Sequence, residues 1–365
     1  MIAENKYGPE EMCSLILPSF LLIKFKLLAM SNCLITSSDL LQGCEYKLGV
    51  CGPMLKFKSA VTNSFICSFV LISCGGNSSY TSNPFPENNI QPPANNPVLL
   101  SDISYGKTDR NKLDIYQPGS VCEENRPTVF YIHGGGFVGG DKKSSSITNY
   151  SNKIKEKSWN FVSINYRLVR HNPVLSPTFQ AAFDGLVENN NIQSSDLAVA
   201  NAAIAALEDT TDALNFLNDN ADEYCIDMSR LGFWGVSAGA YTVLGAGYSL
   251  DNFGVDIPQP DVIVNFYGDL FQDSHLDFME APFITIHGDN DPTVDYQHAL
   301  DLAAQADLVS VPYTFITIAN GGHGGFDLEA DVMPNDTSIM DTILSFLEAH
   351  LIGGTADYDT VTVSF

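Results

Sequence analysis

The chain has 365 residues, 45% of them hydrophobic, and sets 18 basic side chains against 43 acidic ones for a formal net charge of −25. That length and apolar content can bury a sizeable core and fit one large α/β domain with extra segments better than two equal domains. With no Lys or Arg after Arg230, the surface repels phosphate backbones, so no nucleic-acid partner is expected.

Residues 1–53 read poorly as a domain. They hold four of the eight cysteines and little helical or strand periodicity. Their apolar run from Leu15 to Ile23 is interrupted by Pro18 and is too short to span a membrane. A better start lies at Met54. Lys56 and Lys58 form a basic region, Ala60 to Ser73 an apolar stretch of signal-peptide length, and Leu71-Ile72-Ser73-Cys74 closes it. This resembles a bacterial lipoprotein signal, in which the cysteine is lipidated and becomes the new N-terminus. The reading is therefore 1–53 as a non-native upstream extension, 54–73 as signal peptide and Cys74 as the lipidation site. A plain secretory signal and an uncleaved anchor helix are the alternatives. Residues 74–97, rich in Asn, Pro and Ser, read as a disordered tether. The expected location is an exported bacterial lipoprotein, periplasmic or at the cell surface, held at a membrane surface through its N-terminus.

From about residue 98 strands and helices alternate. Ser101–Tyr105 and Lys112–Tyr116 read as a first strand pair, and Thr128–His133 as a buried strand. Ser145–Lys157 has helical spacing, and Phe161–Tyr166 is another strand. Ala203–Tyr224 reads as a long helix, Arg230–Val236 as a strand and Ala238–Tyr248 as a helix. Val262–Tyr267, Phe283–His287 and Tyr313–Ile318 are strands, and Tyr296–Gln305 and Thr337–Leu351 helices. Such alternation predicts an α/β fold with a mostly parallel central sheet and helices on both faces, over 98–351. The tail 352–365 alternates like a strand.

Four motifs carry chemistry. Gly235-Val236-Ser237-Ala238-Gly239 lies where a strand passes into a helix. The sharp turn lifts the Ser237 hydroxyl out of the sheet and puts the Ala238 N–H at a helix N-terminus. His133-Gly134-Gly135-Gly136 follows a buried strand, and its unshielded N–H groups suit an oxyanion hole. His133 reads as a holder of that loop through hydrogen bonds, not as the base. His287-Gly288-Asp289-Asn290-Asp291-Pro292 places acids at a strand's C-terminal end, with Asp291 preferred over Asp289. Gly321-Gly322-His323-Gly324-Gly325 lets a loop carry an imidazole over the sheet edge, and His323 has the best context of the seven histidines. The order Ser237, Asp291, His323 is the chain order of α/β-hydrolases. The histidines are too scattered for a metal site, and no metal is expected.

Residues from about Asp102 to Leu351 resemble bacterial carboxylesterases of the HGGG class, near the hormone-sensitive-lipase-like and feruloyl/acetyl esterase groups. The matching stretches are LDIYQP, FYIHGGGFVGGDK, VSINYRL, ALEDTTDALNFL, GVSAG, HGDNDPTV and GGHGGF. The resemblance implies the α/β-hydrolase fold, a Ser237–His323–Asp291 triad, and Gly135, Gly136 and Ala238 as oxyanion donors. It implies no cofactor, and a small-molecule ester substrate with a short acyl chain or an acyl group attached to a sugar. Val236 stands where many relatives carry an acid, and 168–201 is longer than the usual link, which reads as a lid or pocket wall. The same fold makes the strands at Thr128 and Arg230 parallel neighbours, which implies a disulfide between Cys122 and Cys225; two unpaired thiols are the alternative. Other functions on this fold are a serine peptidase, which would usually need a substrate-selecting domain, and a non-catalytic binding protein, which would usually lack a triad member.

Overall fold

The computed structural model describes residues 96–190 and 192–365. The extension 1–53, the signal 54–73, Cys74 and the tether up to residue 95 lie outside the described residues.

The strands are β1 Val98–Ser104, β2 Lys112–Gln117, β3 Arg126–Ile132, β4 Asn160–Ile164, β5 Ile226–Val236, β6 Val262–Phe266, β7 Phe283–Gly288, β8 Tyr313–Ile318 and β9 Thr360–Val363. The helices are α1 Ser145–Glu156, α2 Pro177–Asn189, α3 Leu197–Asp219, α4 Ala238–Tyr248, α5 Tyr296–Val309 and α6 Ile339–Leu351. Among the described residues the strands form one sheet in the order β1-β2-β4-β3-β5-β6-β7-β8-β9. β2 runs antiparallel to β1 and β4, and every other pair is parallel. This is the mostly parallel, helix-covered sheet that the sequence predicts.

The central strands read as continuous apolar runs because both sheet faces are covered. In β3, Phe130 and Ile132 face one core with Val243 and Leu244 of α4 and Leu207 of α3. Val129 and Tyr131 face the other, with Ile147 and Ile154 of α1 and Ile343 and Leu347 of α6. Helix starts are marked by side-chain caps: Ser144 accepts from Ile147 N–H, Asp295 from Gln297 N–H, and Ser338 from Asp341 N–H.

Topology places the site. The chain leaves β3 through α1 to β4 on one side, then returns through α2 and α3 to β5 on the other side of β3. A crevice therefore opens beyond the C-terminal ends of β3 and β5, where ligands bind in open α/β sheets. Register brings those ends level: Ile132 pairs with Gly235, Val236 with Phe266, Phe266 with Ile286, and Gly288 with Ile318.

Three elements differ from the sequence expectation. α3 runs from Leu197 to Asp219, not Ala203 to Tyr224. Leu197-Ala198-Val199-Ala200 are good helix formers behind Asp196, while Asn218 and Asn220 favour an end before Tyr224. β5 begins at Ile226 because Ile226 pairs with Arg126 across a register shift, although Asp227, Ser229 and Arg230 break the apolar run. α2, Pro177–Asn189, lies inside the 168–201 link, where no helix is expected from the sequence; the tail, which alternates like a strand, does form β9 beside β8 over Thr360–Val363, with Val363 buried.

Cys122 and Cys225 are disulfide-bonded, with Cα atoms 5.9 Å apart. They sit just before β3 and β5, at the rim opposite Ser237. Among the described residues no helix is long and apolar enough to cross a membrane.

Candidate active site

β5 passes through Gly235 and Val236 into Ser237, and α4 starts at the next residue. The turn holds Ser237 at φ 53° and ψ −121°. A side-chain-bearing residue avoids this backbone region at a cost of about 1–3 kcal/mol, so the surroundings must enforce it. Ser237 N–H donates to Phe266 O at 2.8 Å, and Ser237 O accepts from the N–H groups of Ala240 and Tyr241. Glycine is required beside it. A Cβ on Gly235 would lie 2.3 Å from Gly239 O, and one on Gly239 would lie 2.0 Å from Ile132 O. Only bare Cα atoms let the helix start pressed against the end of β3.

Ser237 Oγ lies 2.8 Å from His323 Nε2, and His323 Nδ1 lies 2.7 Å from Asp291 Oδ2. The loops after β7 and β8 interlock to bring this about. Asn290 N–H donates to Gly321 O at 3.0 Å, and a Cβ on Gly288 would lie 2.3 Å from that oxygen. The Asp291 carboxylate is fully buried, while His323 is about one-fifth exposed. Its Oδ1 accepts from the N–H groups of Thr293 and Val294 at 2.8 and 3.0 Å. Burial alone would raise the Asp291 carboxyl. The hydrogen bonds from His323, Thr293 and Val294 outweigh it and hold the group below its ordinary range. Asp289, the alternative acid, instead accepts from Asn320 N–H at 2.6 Å.

The sequence and the fold, as distinct from these side chains, have known counterparts. Residues 113–180 and 187–269 match the BD-FAE family model, an esterase-type domain. The chain is an esterase of the α/β-hydrolase fold. MGS-M1, an α/β hydrolase enzyme from a Medee basin deep-sea metagenome library, is 18% identical with a TM-score of 0.50; the match covers 70% of this chain and 99% of that one. A protein described as bifunctional GH43-CE, from Bacteroides eggerthii, is 18% identical with a TM-score of 0.53; the match covers 69% of this chain and 35% of that one. These two likenesses are of fold.

The glycine loop of the esterase abuts the serine. A Cβ on Gly134 would lie 3.2 Å from Ser237 Cβ and 2.8 Å from Val236 O. Gly135 and Gly136 take φ values of 123° and 60°, which glycine reaches without a Cβ clash. Gly135 O accepts from the N–H groups of Val138 and Gly139, which closes the loop into a tight turn. Ala238 is buried at the first position of α4, where its N–H has no partner within the helix. A cavity of about 640 Å³ is lined by Thr108, Asp109, Arg110 and Arg167 with residues 171–174. Residues 168–176 are fastened there: Val169 N–H donates to Phe137 O, Arg167 pairs with Glu208 and Asp209, and Ser176 N–H donates to Glu208.

Sequence reasoning missed three neighbours of the site. Tyr267, at φ 41°, sets its ring edge-on to His323 with centroids 4.7 Å apart; burial pushes its phenol up. His287 Nε2 lies 3.0 Å from Val294 O and 3.4 Å from Asp291 Oδ2; burial lowers its imidazole, so it stays neutral. Arg110 reaches His133 Nε2 at 3.2 Å. A buried histidine after a strand signals that some partner exists, but the spacing from Arg110 to His133 carries no periodicity. Among the described residues no three His, Cys, Asp or Glu side chains converge as metal ligands.

Proposed function

We propose that the esterase cleaves short-chain acyl esters, among them acyl groups attached to sugars, through an acyl-enzyme on Ser237. The observation that carries this reading is the continuous hydrogen-bond chain Ser237–His323–Asp291 at 2.8 and 2.7 Å. A neutral His323 with its proton on Nδ1 leaves the Nε2 lone pair facing Ser237 Oγ, ready to take its proton as the oxygen attacks the ester carbonyl. Asp291 fixes that tautomer and stabilises the imidazolium that forms. His323 then gives the proton to the leaving alcohol, and water repeats the cycle to release the acid. The N–H groups of Gly135, Gly136 and Ala238 stabilise the charge that develops on the carbonyl oxygen, and loss of one such donor costs about 3–4 kcal/mol of transition-state stabilisation. Residues 168–201 would act as a wall of the substrate site; the fastening of 168–176 to α3 supports a wall over a mobile lid.

The lipoprotein-type segment at 54–74 supports an exported enzyme tethered to a membrane surface through Cys74. The Cys122–Cys225 disulfide fits an oxidising compartment. A fluorophosphonate probe followed by peptide mass spectrometry tests the nucleophile. The label is expected on Ser237 and lost in His323→Ala; labelling at another serine would remove the assignment.

A further inference from the structure

We infer that Arg110 is a positioning residue for the reaction, setting the oxyanion donor at Gly135 through a relay across His133. The inference rests on the oxyanion-hole reading above and extends it to a residue outside the loop.

Arg110 lies in the turn between β1 and β2, with only about a tenth of its side chain exposed. Its Nε donates to Tyr166 O at 3.2 Å, one terminal nitrogen pairs with Asp141 at 2.9 Å, and the other reaches Gly140 O at 2.7 Å and His133 Nε2 at 3.2 Å. A guanidinium only donates. His133 Nε2 must therefore accept, and in a neutral ring the proton is then on Nδ1. That nitrogen lies 2.7 Å from Gly134 O and donates to it. The peptide between Gly134 and Gly135 is trans, so its N–H points opposite to its carbonyl. Holding Gly134 O against the ring thus turns the Gly135 N–H away from the ring.

Independent contacts enforce the arrangement. Tyr166 stacks on His133 with centroids 4.5 Å apart, and its hydroxyl donates to His133 O at 2.8 Å. Gly140 closes over the relay: a Cβ there would lie 2.3 Å from both Gly134 O and His133 Nδ1. Burial, with Arg110 adding to it, takes His133 down to about 4, so the ring stays neutral at working pH. An imidazolium would lose the acceptor that Arg110 needs.

Imidazole 15N NMR of the full chain at pH 7 tests the first link, with His133 assigned by its absence in His133→Gln. A protonated Nδ1 with a bare Nε2 is expected; the other tautomer, or an imidazolium, overturns the relay. Turnover of p-nitrophenyl acetate tests the second link. Arg110→Met should lower kcat about 10- to 100-fold with KM within about twofold, a fraction of what removing a whole donor does. Arg110→Lys, which keeps one donor, should recover part of that loss and stands in if the Met variant does not fold. His133→Phe should give a similar loss, and the double variant should fall no further than the weaker single one. A folded Arg110→Met with unchanged kcat, or losses that multiply, overturns the inference. The NMR result does not depend on turnover, so a wrong tautomer would leave the role of Ser237 intact. Activity surviving in Ser237→Ala would instead remove the reading on which the relay rests.

Discussion

Replacing Asp291 with Asn tests the acid of the constellation with almost no change in shape. Asp291 Oδ1 accepts from the N–H groups of Thr293 and Val294, and Oδ2 accepts from His323 Nδ1 at 2.7 Å. An asparagine keeps its carbonyl oxygen on the two backbone donors. Its amide nitrogen then faces His323 Nδ1, and two donors cannot share that contact. The imidazole turns to the tautomer with the proton on Nε2, which can no longer take the Ser237 proton. Loss of the carboxylate also removes the charge that stabilises the imidazolium. A carboxylate-to-amide change of this kind lowers kcat about ten-thousandfold, close to 5 kcal/mol of barrier. Initial rates on p-nitrophenyl acetate at pH 7, with a thermal melt to show retained fold, read the effect. If Asp291→Asn stays within about tenfold of the native rate while Asp289→Asn abolishes it, the acid has been assigned to the wrong carboxylate.

Other outcomes follow from the same contacts. His133 is buried, with its imidazole lowered to about 4, so the unfolded chain binds its proton first as pH falls below about 6.5. Its share of stability is full above that value and is lost on going down to about 4, a change of about 3 kcal/mol. Chemical denaturation at stepped pH should show this acid slope in the native protein and a shallower one in His133→Phe; identical slopes would contradict the burial argument. The Cys122–Cys225 bond spans 103 residues, so the double alanine variant should lose about 4 kcal/mol by denaturant titration. Its kcat should stay within about twofold, because the bond lies on the rim opposite Ser237. Gly239→Ala would put a Cβ 2.0 Å from Ile132 O and should cost about 3 kcal/mol in the same titration; a neutral result would mean that α4 can shift freely off β3.

The legible part of the molecule is what local pattern encodes. TVFYIH, FITIH and TFITI announce buried strands through β-branched and aromatic runs, and glycines after each strand mark loops at the same sheet end. Ser237, Asp291 and His323 could be named because each sits in such a loop. The ends of α3 and β5 were less legible. The polar Asp227, Ser229 and Arg230 hide a strand whose pairing with Arg126 is decided across the sheet. Arg110, Tyr267 and His287 were not legible at all. Arg110 meets His133 only because the antiparallel β2 starts at the sheet end where β3 finishes, with Leu113 and Ile132 both level with Ile164 of the intervening β4. Tyr267 meets His323 only because β6 and the loop after β8 converge on the same rim.

Hydrolysis of a p-nitrophenyl ester series, acetate to palmitate, by the native protein and by Ser237→Ala tests the esterase role of Ser237. The native protein is expected to cleave the short esters with rates falling as the acyl chain lengthens, and Ser237→Ala to cleave none. Equal rates in the two proteins, or no cleavage of any ester by the native one, would contradict that role.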